Sequence, residues 1–108
     1  MPKREFVFVD EVVNACLVIL NKPLSNDKLP INIGVGYDIP IKSLDKKISR
    51  IVGYSGIIKW DKSEPDVVPR KLLDINRIES IGCKATTDFD EGLEYTYQWY
   101  LKNISQFQ

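Results

Sequence analysis

The sequence predicts a small mixed α/β domain of three or four short strands and four helices. Three observations predict it. Short runs rich in β-branched and aromatic residues are interspersed with helical hydrophobic periods. Gly, Pro, Asn and Asp cluster between these runs, where the chain must turn. The 108 residues, 44% hydrophobic and 28% charged, are ordinary for one soluble globular domain with a modest core.

The elements follow in order. Glu5 to Val9 alternate weakly and are rich in Phe and Val, which reads as a short buried strand. Asp10 is placed to cap a helix that carries Val12, Val13, Cys16, Leu17 and Leu20 on one face. Asn21 to Pro30 holds two prolines among polar residues and reads as a surface loop. Ile31, Ile33 and Val35 alternate with Asn32, Gly34 and Gly36, the pattern of a strand. The Gly34-Val35-Gly36 triplet lacks the third glycine and the opening helix of a dinucleotide loop, so it reads as a strand end and turn.

Ile41 to Val52 is a second amphipathic helix. Ile41, Leu44, Ile48, Ile51 and Val52 lie on one side, and Gly53 stands where a left-handed residue ends it. Ile57 to Trp60 reads as a short strand, with Trp60 in the core. Asp74 to Ile81 reads as a short helix ended by Gly82. Asp88 and Glu91 have the spacing of a carboxylate capping box. Phe89, Leu93, Tyr97, Tyr100, Leu101 and Ile104 then recur at helical spacing, so the last helix runs over residues 89–104. Most of the aromatic density of Tyr95, Tyr97, Trp99 and Tyr100 is assigned to the core.

Composition excludes several function classes. Fifteen basic and fifteen acidic residues cancel, which leaves no electrostatic footprint for nucleic acid or an anionic membrane. No apolar run is long enough to span a bilayer, and MPKREF opens no signal peptide, so a cytoplasmic protein is expected. There is no histidine and no CxxC, which argues against a zinc site. Cys16 and Cys83, far apart and flanked by apolar residues, are expected to be buried free thiols.

The stretch with most chemistry is EPDVVPRKLLD, Glu64 to Asp74. Pro65 and Pro69 stiffen it, and Arg70 and Lys71 follow side by side. Asp66 could accept from a sugar or base, and the two cations could hold phosphate oxygens. From chemistry alone, a solvated charged loop is the simpler reading.

Four stretches change that weighting. PDVVPRKLLD resembles the PDGxPRKLLD motif of GDP-L-fucose synthases, which are NADP-dependent epimerase-reductases of the extended short-chain dehydrogenase class. REFVFVDE resembles that family's REFxHVDD. INIGVGYDIPIKSL resembles INVGTGxDxxIxEL, and GLEYTYQWYLKN resembles GLxxTYQWFLxN. The matches occur in family order and cover nearly the whole chain. They correspond to the family's C-terminal, substrate-binding part only.

The resemblance therefore implies a small mixed α/β substrate-binding domain over residues 1–108, without the Rossmann domain. It implies a GDP-sugar as ligand, NADP(H) bound elsewhere in the full-length family and not by this chain, and a missing or separate N-terminal cofactor domain as partner. In the family, C3 and C5 of GDP-4-keto-6-deoxymannose are epimerised and C4 is reduced to give GDP-L-fucose. The carried-over site residues are Arg4 and Lys71 for the diphosphate, Asp66 for the nucleoside, and Arg70, which could equally be a structural ion pair. No catalytic residue carries over. No tyrosine has a lysine four residues on, the cofactor loop is absent, and the acid-base histidine has no counterpart. Alone, the chain is expected to be inactive.

Ile57 replaces a family arginine, Phe8 the histidine of REFxHVDD, Cys83 a tryptophan, and Val67 and Val68 the Gly-x of PDGxPRK. A fragment, a truncated frame and half of a split enzyme all fit. So do the substrate domain of a UDP- or dTDP-hexose enzyme and a non-catalytic fragment serving subunit contact. Apolar surface left where the cofactor domain would dock makes self-association an expected behaviour.

Overall fold

A computed structural model describes residues 2–22, 30–63 and 68–107. Three strands of two residues each form one mixed sheet in the order β2-β1-β3. The central strand β1, Lys3–Arg4, runs antiparallel to β2, Ile39–Pro40, and parallel to β3, Arg70–Lys71. The helices are α1, Val9–Asn21; α2, Ile41–Val52; α3, Asn76–Ser80; and α4, Phe89–Asn103. A 3₁₀ turn over Ile104–Phe107 follows.

The mixed α/β class stands, but the strands lie elsewhere than expected. Residues 5–8, 31–35 and 57–60 do not pair as strands. The reason is Glu5. Its carboxylate accepts N–H bonds from Val35 (2.8 Å), Gly36 (2.9 Å) and Leu73 (3.1 Å). These donors, on two segments, bond a side chain instead of a neighbouring strand. Trp60 is exposed, not in the core.

The second helix spans its expected residues, 41–52, and Gly53 caps it at φ 74°. The last helix begins at Phe89, with Asp88 accepting from the Asp90 N–H at 3.2 Å. Glu91 does not complete the capping box. It accepts the Tyr95 hydroxyl at 2.7 Å instead. Asp10 is no cap either, since α1 starts at Val9 and Phe8 precedes it without a side-chain bond. Asp10 and Glu11 lie in the first turn, where the helix dipole favours negative charge.

The core is Ala15 of α1, Ile78 of α3 and Cys83, with Val18, Ile19, Ile31, Ile33, Ile75 and Ile81 packed around them. Ala15, Val18 and Ile19 share one helical face. Of the face expected to be buried, Val12 is half-buried, while Val13, Cys16, Leu17 and Leu20 are exposed. Cys16 is thus an exposed free thiol, while Cys83 is buried as expected. Tyr95, Trp99 and Tyr100 are also substantially exposed, contrary to a core role. Among the described residues, no helix is long and apolar enough to cross a membrane.

Glu11 fastens α1 to the approach to α4. Its Oε1 accepts the Thr87 N–H at 2.7 Å and the Thr86 N–H at 3.0 Å. The Thr87 side chain, followed by these N–H groups and the Thr86 hydroxyl, holds the carboxyl below its ordinary value of 4.5, against an opposing desolvation. A depressed folded-state pKa contributes stability above the unfolded value, lost as pH falls through the folded one. Glu11→Gln is expected to lower stability by about 1–2 kcal/mol at pH 7. Denaturant titrations at pH 7 and pH 3 check this: the gap between the two proteins should narrow at pH 3.

Candidate functional site

The sheet brings three of the four sequence-predicted site residues together. Arg4 of β1 is in register with Lys71 of β3, and Lys3 with Arg70. Registered residues on neighbouring strands project to the same face, and successive residues to opposite faces. Arg4 and Lys71 therefore share one face of the sheet, and Arg70 belongs to the other. Asp66 lies outside the described residues.

Arg70 is held by Asp38. Its Nε donates to Asp38 Oδ2 at 2.5 Å and its Nη2 to Oδ1 at 3.3 Å. The Asp38 side chain is buried while that of Arg70 is largely exposed. This two-point pair satisfies a carboxylate that would be costly to bury alone. Of the two roles left open for Arg70, the geometry supports the structural ion pair.

Arg4 Nη1 donates to the Lys3 carbonyl at 2.7 Å, which keeps the guanidinium close to its own strand. Lys71 is exposed and makes no hydrogen bond or ion pair among the described residues. Two cations on one face, one tethered and one unengaged, suit an anion with several oxygens.

The segment after Lys71 is also ordered by local bonds. Asp74 Oδ1 accepts the Asn76 N–H at 2.9 Å and sets up α3, and Asn32 Nδ2 reaches the Asp74 carbonyl at 3.3 Å. Pro30, Asn32, Asp74, Asn76 and Arg77 line a groove of about 440 Å³ there. A second groove, of about 710 Å³, runs between α1 and α4, lined by Phe8, Val9, Asp10, Tyr95, Thr96 and Trp99.

Neither shifted tyrosine is prepared to lose a proton. Burial, then the charges of Asp88 and Asp90, raises the pKa of Tyr37. The bond to Glu91 and its charge raise that of Tyr95. Among the described residues, no cluster of three or more His, Cys, Asp or Glu could hold a metal ion. The residues that sequence reasoning missed are Glu5 and Asp38. A glutamate between Arg4 and Phe6, in a run read as a buried strand, was the available signal, because a buried carboxylate must find donors. Asp38 offered none, since its partner is 32 residues away.

No protein-family model matches the chain. It is 37% identical over 103 residues to GDP-L-fucose synthase 1 of Arabidopsis thaliana, covering 95% of this chain and 31% of that protein. The chain is related to the GDP-L-fucose synthases. It spans about a third of the length of these curated relatives, and a C-terminal part fits.

Solved structures agree with the fucose-synthase relationship at the level of fold. A GDP-6-OMe-4-keto-L-xylo-heptose reductase from Campylobacter jejuni superposes with a TM-score of 0.84 at 28% identity, over 94% of this chain and 32% of that one. A UDP-glucose 4-epimerase from Thermotoga maritima, solved with UDP-glucose, gives 0.83 at 27% identity, over 95% and 33%. The chain thus has the fold of the corresponding third of extended short-chain dehydrogenases and epimerases.

Proposed function

We propose that the chain is the GDP-sugar-binding wall of a fucose-synthase-like epimerase-reductase, acting on GDP-4-keto-6-deoxymannose to give GDP-L-fucose. The observation that carries this is the juxtaposition of Arg4 and Lys71 in register on adjacent strands, within a sequence related to that family. In this reading Arg4 and Lys71 take the diphosphate, Asp66 takes the nucleoside, and Arg70 with Asp38 supports the sheet from the far side. Binding energy from the nucleotide is converted into orientation of the sugar. A second polypeptide or domain supplies NADP(H) and the proton-transfer residues. It docks on the exposed apolar face of α1 and α4, and in its absence that face drives self-association. The setting is the cytoplasm.

The solved UDP-glucose epimerase shares the fold equally well and favours a UDP-sugar as the second reading. One titration separates the two. GDP is added to the chain with UDP and ADP alongside, followed by fluorescence of Trp60 and Trp99. Saturable, GDP-selective binding is expected. Lys71→Ala should remove a charge-assisted contact of about 1.5–3 kcal/mol, which lowers affinity at least tenfold. Equal weak binding of all three nucleotides would overturn the choice of GDP, and UDP selectivity would establish the second reading.

A further inference from the structure

The two segments that flank the cation pair are joined through one side chain. Glu5 directly follows Arg4, and Leu73 lies two residues beyond Lys71. The Glu5 carboxylate reaches the Leu73 N–H with one oxygen, at 3.1 Å, and the Val35 and Gly36 N–H groups with the other, at 2.8 and 2.9 Å. Room for it comes from Gly34, where an added Cβ would fall 2.6 Å from Glu5 Oε2. Charge-assisted bonds of this kind are stronger than neutral ones and fix direction as well as distance.

The sheet itself gives little of this rigidity. Each strand has only two residues, so β3 is held to β1 over one short register. Lys71 sits at the end of that register, and the next residue fastened to β1 is Leu73, through Glu5. From these contacts we infer that Glu5 is a positioning residue, which sets the separation of Lys71 from Arg4 and thereby the fit to a nucleoside diphosphate. Glu5 itself has no contact with the anion, since its two oxygens are turned to backbone donors. The inference deepens the GDP-sugar reading and rests on it for the identity of the ligand.

Two variants disturb the carboxylate from opposite sides. Glu5→Gln removes its charge and replaces an acceptor with a donor. Gly34→Ala keeps the glutamate but fills its seat, at a backbone position that has no left-handed φ. In both, hydrogen exchange at the Val35, Gly36 and Leu73 amides is expected to quicken at least tenfold, while the amides of α2 and α4 keep their protection. The dissociation constant for GDP should rise at least fivefold in each. The double variant should be little worse than either single, because both act through one contact. Unchanged exchange at the three amides, or quickened exchange with unchanged GDP affinity, would overturn the positioning role, as would effects that simply add. If the unmodified chain binds no GDP, the nucleotide reading fails by itself. The positioning role is then decided by the cross-strand NOE between Arg4 and Lys71: its loss in both variants sustains the role, and its persistence overturns it.

Discussion

Ile78→Ala is expected to lower stability by about 2–5 kcal/mol, enough to bring the chain to the edge of unfolding at 25 °C. Ile78 is only 3% exposed and is the one large side chain among the buried hydrophobic residues described. It joins α3 to Ala15 of α1 and to Cys83, and six partly buried apolar side chains surround the cluster. Truncation would leave a cavity between short elements that have few other contacts through which to collapse. The control is Leu20→Ala, at a position 79% exposed, where a change within about 0.5 kcal/mol is expected. Urea midpoints of the three proteins measure both. A midpoint for Ile78→Ala within error of the unmodified chain would mean that the core lies elsewhere.

The second large effect concerns association. Val9, Val13, Leu17 and Leu20 form an exposed stripe along α1, and Tyr95 and Trp99 line the groove beside its start. Phe107 lies beyond, its ring 5.9 Å from that of Trp99. The chain exposes 8372 Å². A folded monomer of 12.4 kDa would expose about 6100 Å². The excess, about 2,300 Å², is larger than the roughly 800 Å² that each partner buries in a standard protein interface. Light scattering should therefore show concentration-dependent association of the chain by itself. Leu17→Glu should weaken it at least a hundredfold. It removes a side chain whose burial is worth about 1.5–3 kcal/mol and places a charge in an apolar contact. A concentration-independent monomer would count against the docking role of this face.

The helices were legible because their information is local. Residues 41–52 carry one apolar stripe, a glycine at the end and no breaker inside, and the helix adopts those bounds. The same holds for α4, whose start is marked by Asp88. The first helix was legible as a helix, but its buried face was not. It is apolar on two sides: Ala15, Val18 and Ile19 turn inward, while Val13, Leu17 and Leu20 turn out. Periodicity finds a stripe but does not say which of two stripes meets the core.

The strands failed for the opposite reason. Alternation at Ile31, Ile33 and Val35 is present, yet the Val35 and Gly36 N–H groups are taken by a glutamate from another segment. Pairing is decided by partners distant in sequence, and a dipeptide strand such as Arg70–Lys71 has no period to read. At the candidate site, Arg4, Arg70 and Lys71 were legible from their motifs. The registration of Arg4 with Lys71, the diversion of Arg70 to Asp38 and the reach of Glu5 required the fold.

The place of β1 at the centre of the sheet bears on how the chain comes together during synthesis. Lys3–Arg4 leaves the ribosome before its partners, which come much later. Glu5 waits 31 residues for Gly36 and 68 for Leu73. Closing loops of that length is entropically slow, whereas α2 and α4 need only neighbours in sequence. The nascent chain therefore carries helices before it has a sheet. A translational pause or a proteolytic cut between α2 and β3 would leave a product with α1 and α2 and without the strand that completes the sheet.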